Sequence, residues 1–501
     1  MLQLTAETFD QNARAALRDP VLHGALRNLA DNFVGRRKNA ISSVDDWEGL
    51  RERARAIKEE TLLHLDDYLL KFVENAEKAG ATIHWARDGK EACQIVIDLV
   101  KQREASMVVK AKSMAGEEIH LNEALERSGV EPVETDLGEW IIQLAGETPS
   151  HIVVPAIHKT KQQIADLFVE KTGIEKTENV DVLTKTARTI LRKRFAEAEV
   201  GISGVNFGVA ETGTILILEN EGNIRLTTSL TKTHIAIMGI EKIIPQFADL
   251  DVFLKLLPRS GTGQRLTAYQ SLITGTKKNA DSAGPEEVHI VLLDNGRSRM
   301  LAHPVTRQSL ACIRCGACLN ACPVYQQVGG HAYGSVYPGP IGAVITPQLI
   351  GISKAKHLPY ASSLCGACKE VCPVKIDIPE LLLHLRAEIS DGTAGGSAEN
   401  PEAKRRFAES LAFKMYGEAW SGQFSYGLGT KAARIMQKLV VRDGKIGKAT
   451  GLIAKLLPPL GAWTAWRDAP AVAPRSFREQ WKDGLDKQDR SGTKVGLMGD
   501  V

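Results

Sequence analysis

The sequence predicts an α/β domain followed by a cysteine-rich, mainly helical module and a helical C-terminal region. Three observations support this prediction. Short apolar runs alternate with helical periodicity between residues 60 and 300, seven of the eight cysteines lie between residues 312 and 372, and basic helical sequence follows residue 401. Strands that alternate with helices form parallel sheets covered on both faces. The 501 residues suffice for about three domains of roughly 150 residues each.

The N-terminal part combines a helical arm with the α/β domain. Apolar residues recur at three- and four-residue steps from Leu62 to Ala76, which predicts an amphipathic helix. We assign residues 1–59 to the arm and residues 60–300 to one α/β domain. The predicted strands are Ala81–Ala86, Met107–Ala111, Glu131–Leu137, Ile152–Ala156, Gly201–Val209, Thr214–Glu219, His234–Gly239 and Val288–Asp294, and the clearest helices between them are Glu91–Arg103 and Glu118–Ser128.

The rest of the chain divides by composition. The predicted parts are the cysteine-rich module 301–390, a Gly/Ser-rich linker 391–400, a basic helical region 401–481 and a disordered tail 482–501. Lys431–Lys455 holds seven Lys/Arg and one acidic residue, and Trp463 and Trp466 follow it. This pattern suits docking on an acidic partner or on anionic lipid, and a solvated helix face explains it equally well.

Composition excludes several classes of protein. Lys plus Arg is 63 and Asp plus Glu is 60, so the net charge of +3 offers no bulk attraction for nucleic acid. The N-terminus has no signal-peptide pattern, and no run approaches 18 apolar residues. We therefore expect a cytoplasmic protein, with peripheral contact at the inner membrane face as an option. Thiols clustered in a large chain of this kind indicate metal ligands rather than disulfides.

The first cysteine run is Cys312-x2-Cys315-x2-Cys318-x3-Cys322, followed by a proline. In this spacing the first three cysteines wrap three corners of an iron–sulfur cubane, and in two-cluster ferredoxins the fourth cysteine ligates the other cluster. The run therefore predicts two neighbouring clusters rather than one.

The second run, Cys365-x2-Cys368-x3-Cys372, matches the last three cysteines of the first, with Ser362 in the missing position. Crossed ligation then predicts Cys312, Cys315, Cys318 and Cys372 on cluster 1, and Cys322, Cys365 and Cys368 on cluster 2.

The fourth corner of cluster 2 stays open. Ser362 is one candidate ligand, a water, a substrate or a distant residue is another, and a [3Fe-4S] cluster is the third alternative. We favour two [4Fe-4S] clusters, the second with a non-cysteine fourth site. A pair of zinc sites is the competing interpretation, but zinc prefers four ligands per ion, and the cysteine count here is four plus three. The eighth cysteine, Cys93, lies on a predicted helix and is expected to be a small core residue.

Residues 311–344 (ACIRCGACLNACPVYQQVGGHAYGSVYPGPIGAV) and 358–382 (LPYASSLCGACKEVCPVKIDIPELL) closely resemble the lactate utilization protein B family, the iron–sulfur subunits of a three-component bacterial L-lactate oxidation system. The resemblance extends over nearly the whole chain. It implies that residues 60–300 are a lactate-utilisation (LUD) domain with the fold of sugar-phosphate isomerases and CoA transferases. It also implies the same seven cysteine ligands and two partner subunits.

The α/β domain contains one candidate binding segment. Gly208–Thr214 (GVAETGT) precedes a predicted strand, where backbone N–H groups suit an anion and Glu211 is the acid. Additional donors are Thr227, Thr228, Ser229, Lys232 and His234. The simpler interpretation, which we prefer, is a tight turn between two strands and a helix-capping TTS sequence.

The function expected from this resemblance is electron transfer within a complex that oxidises L-lactate to pyruvate and permits growth on lactate. The chain would be a component of that oxidoreductase rather than a complete enzyme. The first alternative is a ferredoxin-type subunit of a glycolate or glycerol-3-phosphate dehydrogenase. The second is an iron–sulfur sensor or assembly protein, which the balanced charge disfavours.

Overall fold

The computed structural model describes residues 6–279, 282–391, 407–438, 441–442, 445–446, 464 and 469–485. It divides into two compact units, Met1–Lys404 and Arg405–Val501. Several predictions fall outside the described residues: the linker from residue 392, much of Lys431–Lys455, both Trp463 and Trp466, and the tail beyond residue 485.

The first unit contains ten strands. They are β1 Ala81–Ala86, β2 Met107–Lys110, β3 Glu131–Glu134, β4 Val200–Gly204, β5 Phe207–Val209, β6 Thr214–Glu219, β7 Thr233–Gly239, β8 Ile243–Ile244, β9 Tyr269–Ile273 and β10 Glu287–Leu293. Six of them form a wholly parallel sheet in the order β1-β10-β7-β4-β2-β3. The predicted α/β class is confirmed.

The same unit contains nineteen described helices besides short 3-10 turns. They are α1 Phe9–Ala16, α2 Pro20–Ile41, α3 Trp47–Leu63, α4 Leu65–Lys78, α5 Gly89–Gln102, α6 Met114–Glu118, α7 Leu121–Arg127, α8 Leu137–Ala145, α9 Lys161–Thr172, α10 Val180–Glu197, α11 Asn223–Ser229, α12 Leu250–Gly261, α13 Arg297–Ala302, α14 Ala317–Asn320, α15 Tyr325–Val328, α16 Gly339–Ile350, α17 Ile352–Ala355, α18 Ala367–Val371 and α19 Ile378–Asp391. The helices predicted at 91–103 and 118–128 correspond to α5 and α7.

Helices cover both faces of the parallel sheet. Along β7, Ile235 and Ile237 pack into one core with α5 and α7, while Ala236 and Met238 pack into another with α4. Alternate side chains of a strand point to opposite faces, so a strand buried on both sides is apolar throughout. Every residue of β7 is accordingly buried.

A second sheet, in the order β8-β5-β6-β9, was not predicted. The run predicted as one strand at Gly201–Val209 divides into β4, which belongs to the parallel sheet, and β5, which pairs antiparallel with β6. The chain thus leaves the first sheet between Gly204 and Phe207 and enters the second, a change that apolar periodicity does not report.

The strand predicted at Ile152–Ala156 is wrong, because this segment forms bends and turns. His151 Nδ1 accepts hydrogen bonds from the backbone N–H groups of Val153 and Val154 at 3.0 and 3.1 Å. Those donors are therefore unavailable for a ladder, and the next residue, Pro155, has none. Likewise β3 stops at Glu134 rather than at residue 137, since Asp136 caps α8 by accepting from the N–H of Glu139.

The helical arm and the cysteine module share one core. Phe9 of α1 and Leu26 of α2 belong to the same hydrophobic cluster as Phe253 of α12 and the buried cysteines. Asp19 caps α2, which has Pro20 in its first turn, and Asp46 caps α3. The arm is thereby held in a defined position against the cysteine loops.

The second unit is helical, as predicted. Its described elements are α20 Phe407–Ser421, α21 Gln423–Gln437, α22 Phe477–Gln480, a π turn at Trp481–Leu485, and three two-residue strands, β11 Val441–Arg442, β12 Lys445–Ile446 and β13 Ala469–Pro470, in an antiparallel sheet. Among all described helices, none is both long and apolar enough to cross a membrane.

Candidate iron–sulfur site

The two cysteine loops have the same backbone conformation. Arg314 and Leu364, which directly precede Cys315 and Cys365, have φ values of 59° and 56°, and Gly316 and Gly366, which directly follow those cysteines, have 77° and 84°. Short helices, α14 and α18, then begin in both loops and pack against each other. Positive φ in bulky residues is strained and concentrates at functional sites. The repeat seen in the sequence is therefore also a repeat of conformation.

Ser362 has the same place in its loop as Cys312 has in the first. Cys312 Sγ accepts a hydrogen bond from the N–H of Arg314 at 3.4 Å, and Ser362 Oγ accepts one from the N–H of Leu364 at 3.1 Å. Both acceptors thus bond the residue two positions later. The seryl oxygen replaces the missing sulfur within this local hydrogen-bond pattern.

The seven thiols form two groups according to which of them influence one another. Burial raises the pKa of the Cys318 thiol well above its usual range, and three neighbouring thiols raise it further. This first group consists of Cys312, Cys315, Cys318 and Cys372. Burial also raises the pKa of the Cys368 thiol to about 12, and the thiols of Cys322 and Cys365 add to that shift. Crossed ligation predicts the same two sets of cysteines, and the ligation itself stays a prediction.

All seven clustered cysteines are among the described residues, and no three of their sulfur atoms lie within 4.8 Å of one another.

The thiol surroundings differ in exposure. Cys315, Cys318 and Cys372 are buried, and burial raises the pKa of Cys315 to about 12, so a free thiol there keeps its proton until a metal replaces it. Cys365 is exposed, and the N–H of Ala367 is the main cause that lowers the pKa of its thiol. The second loop thus reaches solvent, whereas the first is enclosed.

Two arginines of the N-terminal arm hold the second loop in place. Arg51 Nε and Nη2 donate to the carbonyl oxygen of Cys372 at 3.0 and 2.8 Å, and Nη2 also donates to that of Glu370 at 2.9 Å. Arg37 Nη2 donates to the carbonyl oxygen of Val371 at 3.1 Å. Sequence reasoning missed both residues, because their partners are more than 300 positions away. The only sign of these contacts in the sequence was an arginine on the buried side of an amphipathic helix of the arm.

A third arginine lies inside the first loop. The Arg314 guanidinium stacks on the Tyr337 ring at 4.6 Å from its centroid, and Nη2 lies 3.6 Å from Glu241 Oε1. Glu241 Oε2 also accepts from Arg297 Nε at 2.6 Å. Arg314, Arg37 and Arg51 thus place positive charge around the first thiol group. Such charge offsets the negative charge that thiolate ligands bring to a cluster.

Tyr333 lies between the two thiol groups. Its side chain is fully buried, and its hydroxyl has no hydrogen-bond partner among the described residues. Burial is the main cause that raises its pKa well above the usual range, and thiols of both groups, those of Cys322, Cys318 and Cys368, raise it further. A buried hydroxyl without an acceptor is costly. The sulfur atoms of a bound cluster would supply acceptors, so this orphan donor fits such a group.

Comparisons with known proteins cover nearly the whole chain. Residues 69–293 match the LUD domain model, residues 308–376 the 4Fe-4S dicluster domain, and residues 384–484 the model named Lactate utilisation protein B, C-terminal. Lactate utilization protein B of Shouchella clausii (strain KSM-K16) is 45% identical over 96% of this chain and 98% of that protein. The homologue of Bacillus subtilis (strain 168) is 42% identical over 96% and 97%. The chain belongs to the lactate utilization protein B family.

One solved structure shows only a weak likeness to this lactate utilization protein B family member. A crystal structure of a DUF162 family protein from Deinococcus radiodurans covers 46% of this chain and 98% of its own, with 8% identity and a TM-score of 0.24. That score is too low to bear on the fold.

The candidate segment Gly208–Thr214 in the LUD domain is a hairpin turn between β5 and β6. Gly213 has φ +67°, and a Cβ there would lie 2.2 Å from the backbone nitrogen of Ala76, so the turn is pressed against α4. Glu211 Oε2 accepts from the N–H of Phe247 at 2.8 Å. The simpler interpretation of this segment is therefore correct.

The five additional donors are also used within the fold. Lys232 pairs with Glu199 at 2.8 Å, and buried His234 shares a 2.7 Å hydrogen bond with Ser203 Oγ. The hydroxyls of Thr227, Thr228 and Ser229, near the end of α11, each donate to a carbonyl oxygen earlier in that helix. The TTS sequence thus closes the helix rather than capping its start.

Two remaining side-chain features have structural explanations. Cys93 is buried on α5, its Sγ donates to the carbonyl oxygen of Ile119 at 3.3 Å, and burial raises the pKa of its thiol to about 11, as suits a core residue. His303, His384 and Glu388 lie close enough to suggest a metal site. However, His303 Nδ1 accepts from two backbone N–H groups, so the neutral ring carries its proton on Nε2 and cannot ligate there.

Proposed function

We propose that this chain is the iron–sulfur electron-transfer subunit of a multi-subunit complex that oxidises L-lactate to pyruvate and permits growth on lactate. The observation that carries the proposal is the pair of adjacent thiol groups, one enclosed among arginines and the other open to solvent at Cys365. The relatives' name, lactate utilization protein B, supplies the metabolic context.

The proposed ligands follow the two thiol groups. Cys312, Cys315, Cys318 and Cys372 would hold cluster 1, and Cys322, Cys365 and Cys368 would hold cluster 2, with Ser362 as the leading fourth ligand. When bound, each cluster supplies a centre that gains or loses one electron. The protein encloses the first centre, shields it from water and leaves an edge of the second accessible. That arrangement supports transfer from a buried site to a partner at the surface.

Partner subunits are part of the proposal because lactate oxidation removes two electrons while each cluster carries one. We propose two other subunits, one of which holds the two-electron acceptor. The domain boundaries proposed from the sequence, 1–59, 60–300, 301–390 and 401–481, remain our proposal for how the chain is organised. Peripheral contact with the inner membrane face through the basic segment remains part of it as well.

The test begins with anaerobic purification of the full chain, with iron and sulfide counting and EPR in the oxidised and reduced states. Cys318→Ser should perturb one cluster signal and Cys322→Ser the other, because the two thiols belong to different groups. Cys93→Ser is the matched control and should change neither signal. Loss of the same signal in both variants would refute crossed ligation, and a colourless, zinc-loaded protein would refute the redox role.

A growth test addresses the substrate. Deletion of the gene should abolish growth on L-lactate and leave growth on glycolate and glycerol intact. Wild-type chain should restore growth, and Cys318→Ser chain should not. A defect confined to glycolate or glycerol would instead support the alternative dehydrogenase subunit.

A further inference from the structure

A cavity of about 370 Å³ opens beside the first cysteine loop, within the first unit. Residues that directly follow parallel strands line it: Lys112 and Ser113 after β2, Asp136 after β3, Gly204 at the end of β4 and Gly239 at the end of β7. Because these strands are parallel, their carboxyl ends share one edge of the sheet. Open α/β sheets bind their ligands at that edge.

The cavity reaches the cysteine module. Arg314, Cys315 and Tyr337 belong to its lining, and so does Gly261 at the end of α12. A Cβ on Gly261 would lie 2.6 Å from the carbonyl oxygen of Cys315, so the loop is packed directly against this wall. A molecule in the cavity would therefore lie next to a thiol of the first group.

The Arg314 guanidinium in the lining is not fully used by the fold. Within the described residues, buried Arg314 Nη1 has no acceptor, and Glu241 Oε1, which lies 3.6 Å from Arg314 Nη2, has no hydrogen-bond donor. Lys242 lines the same cavity, and Glu241 is the nearby acid that favours its charged form. Two other cations of the lining are engaged. Arg297 donates to both oxygens of Glu118 and to Glu241, and Lys112 pairs with Glu139 at 2.6 Å. The unpaired Arg314 donor, with Lys242 beside the same cavity, marks the place for an anion, because a buried donor without an acceptor is costly.

The size and the remaining lining define the rest of the ligand. Small-molecule sites are commonly about 300–1,000 Å³, mostly apolar with a few convergent polar groups. Apolar side chains form part of this wall, including Ile152, Val153, Ile217, Ile224 and Leu257, and the acids Glu219 and Glu221 line it as well. A three-carbon acid such as pyruvate would leave most of this space unfilled. An apolar body attached to the charged group would fill it.

We propose that this cavity binds an organic anion with a ring-sized apolar body, a carboxylate or a phosphate ester, whose charged group lies between Lys242 and Arg314. The position of the ligand beside cluster 1 rests on the proposed function, since it assumes ligation by Cys315. The LUD domain is then a ligand-binding domain whose occupant can influence the neighbouring cluster.

The test uses isothermal titration calorimetry on anaerobically prepared full-length protein. The probes are flavin mononucleotide as a phosphate ester, 1,4-dihydroxy-2-naphthoate as a carboxylate, and pyruvate and inorganic phosphate as small anions. At least one ring-bearing probe should bind, at least tenfold more tightly than either small anion. The two ring-bearing arms distinguish a phosphate ester from a carboxylate. Failure of both to bind, or equal affinity for pyruvate, would overturn the proposal.

Variants of Lys242 locate the binding. Lys242→Met should weaken binding of the ring-bearing anion at least tenfold, Lys242→Arg should retain it, and the exposed control Lys90→Met should not change it. Unchanged affinity in Lys242→Met would overturn the assignment, as it would mean that the cations serve only the cluster. Should Lys242→Met fail to fold, loss of the ligand-induced rise in Tm in Lys242→Gln decides the question.

The same samples separate this inference from the proposed function. Iron content and EPR are recorded with and without the bound anion, whose presence should shift the signal of cluster 1. If the anaerobically purified protein contains no iron but binds the anion in a Lys242-dependent way, the ligand site stands and the redox role is refuted. If the clusters are intact but neither ring-bearing anion binds, the redox role stands and the ligand site is refuted.

Discussion

The two cysteine loops have one backbone design in two different surroundings. Both have a bulky left-handed residue before, and a left-handed glycine after, the equivalent cysteine, Cys315 or Cys365. The first loop is enclosed by the α/β domain and the arm, with Arg314 inside it. In the second loop Cys365 is exposed, and the N–H of Ala367 is the main cause that lowers the pKa of its thiol.

That difference suggests that the two clusters have different roles although their cysteine motifs are alike. Net charge, hydrogen bonds and solvent exposure set the reduction potential of an iron–sulfur cluster. Positive charge around the first thiol group favours the reduced, more negative state of a cluster there. The exposed edge of the second group suits electron exchange with a partner. The two loops are alike in backbone conformation and differ in the helices and side chains that surround them.

The largest expected effect comes from removing the ligand that crosses between the loops. Cys372→Ser should abolish the cluster 1 signal and lower bound iron by about half, because the second loop supplies one corner of the first cluster. The cluster 2 signal should persist. Iron counting and EPR measure this, with Cys93→Ser as the control. Loss of the cluster 2 signal alone would show that each run ligates its own cluster.

The next effect concerns the arm. Arg51→Met should destabilise the protein by about 1.5–3 kcal/mol, since hydrogen bonds from a charged group to buried carbonyl oxygens are lost. It should also lower the reduction potential of cluster 1 relative to that of cluster 2. Denaturant unfolding and a redox titration measure the two quantities. Arg55→Met on the same helix, where an exposed pair with Glu59 is lost, should change neither by a comparable amount. Equal effects in both variants would contradict the role of the Arg51 hydrogen bonds in holding the second loop.

Two tyrosines near the clusters should respond in opposite ways. Tyr325 donates from its hydroxyl to the carbonyl oxygen of Ser150 at 2.8 Å, so Tyr325→Phe should cost about 1–3 kcal/mol in iron-free protein. Tyr333→Phe removes an orphan hydroxyl and should leave iron-free protein as stable or more stable. In loaded protein Tyr333→Phe should lower a cluster potential, because a donor to sulfur is lost. Destabilisation of iron-free Tyr333→Phe would show that the hydroxyl has an acceptor in the protein.

The smallest expected effect concerns the fourth ligand of cluster 2. Ser362→Cys should complete the second motif and alter only the EPR signal of cluster 2, because Ser362 has the hydrogen-bond position that Cys312 has in the first loop. Ser106→Cys, an exposed position in the α/β domain, is the control and should leave that signal unchanged. If Ser362→Ala also leaves it unchanged, the serine is not the fourth ligand.

Much of the fold was predictable because its signals are local. The buried strand β7 and the largely buried strand β10 appear as apolar runs, and alternation with helices predicts their parallel sheet. The segment at Ile152–Ala156 misled the same reasoning, since the side chain of His151 takes the backbone donors that a strand would need. The second sheet was missed because a change of sheet between β4 and β5 leaves the apolar pattern intact.

The sequence by itself determined the cysteine spacing and the repeat with Ser362 in place of its first cysteine, and it predicts the two sets of thiols through crossed ligation. Only the tertiary structure decided which groups surround those thiols. Arg37 and Arg51 reach the second loop across more than 300 residues, and Lys242 meets Arg314 at the cavity. Such contacts depend on how whole elements pack, and no local pattern encodes them.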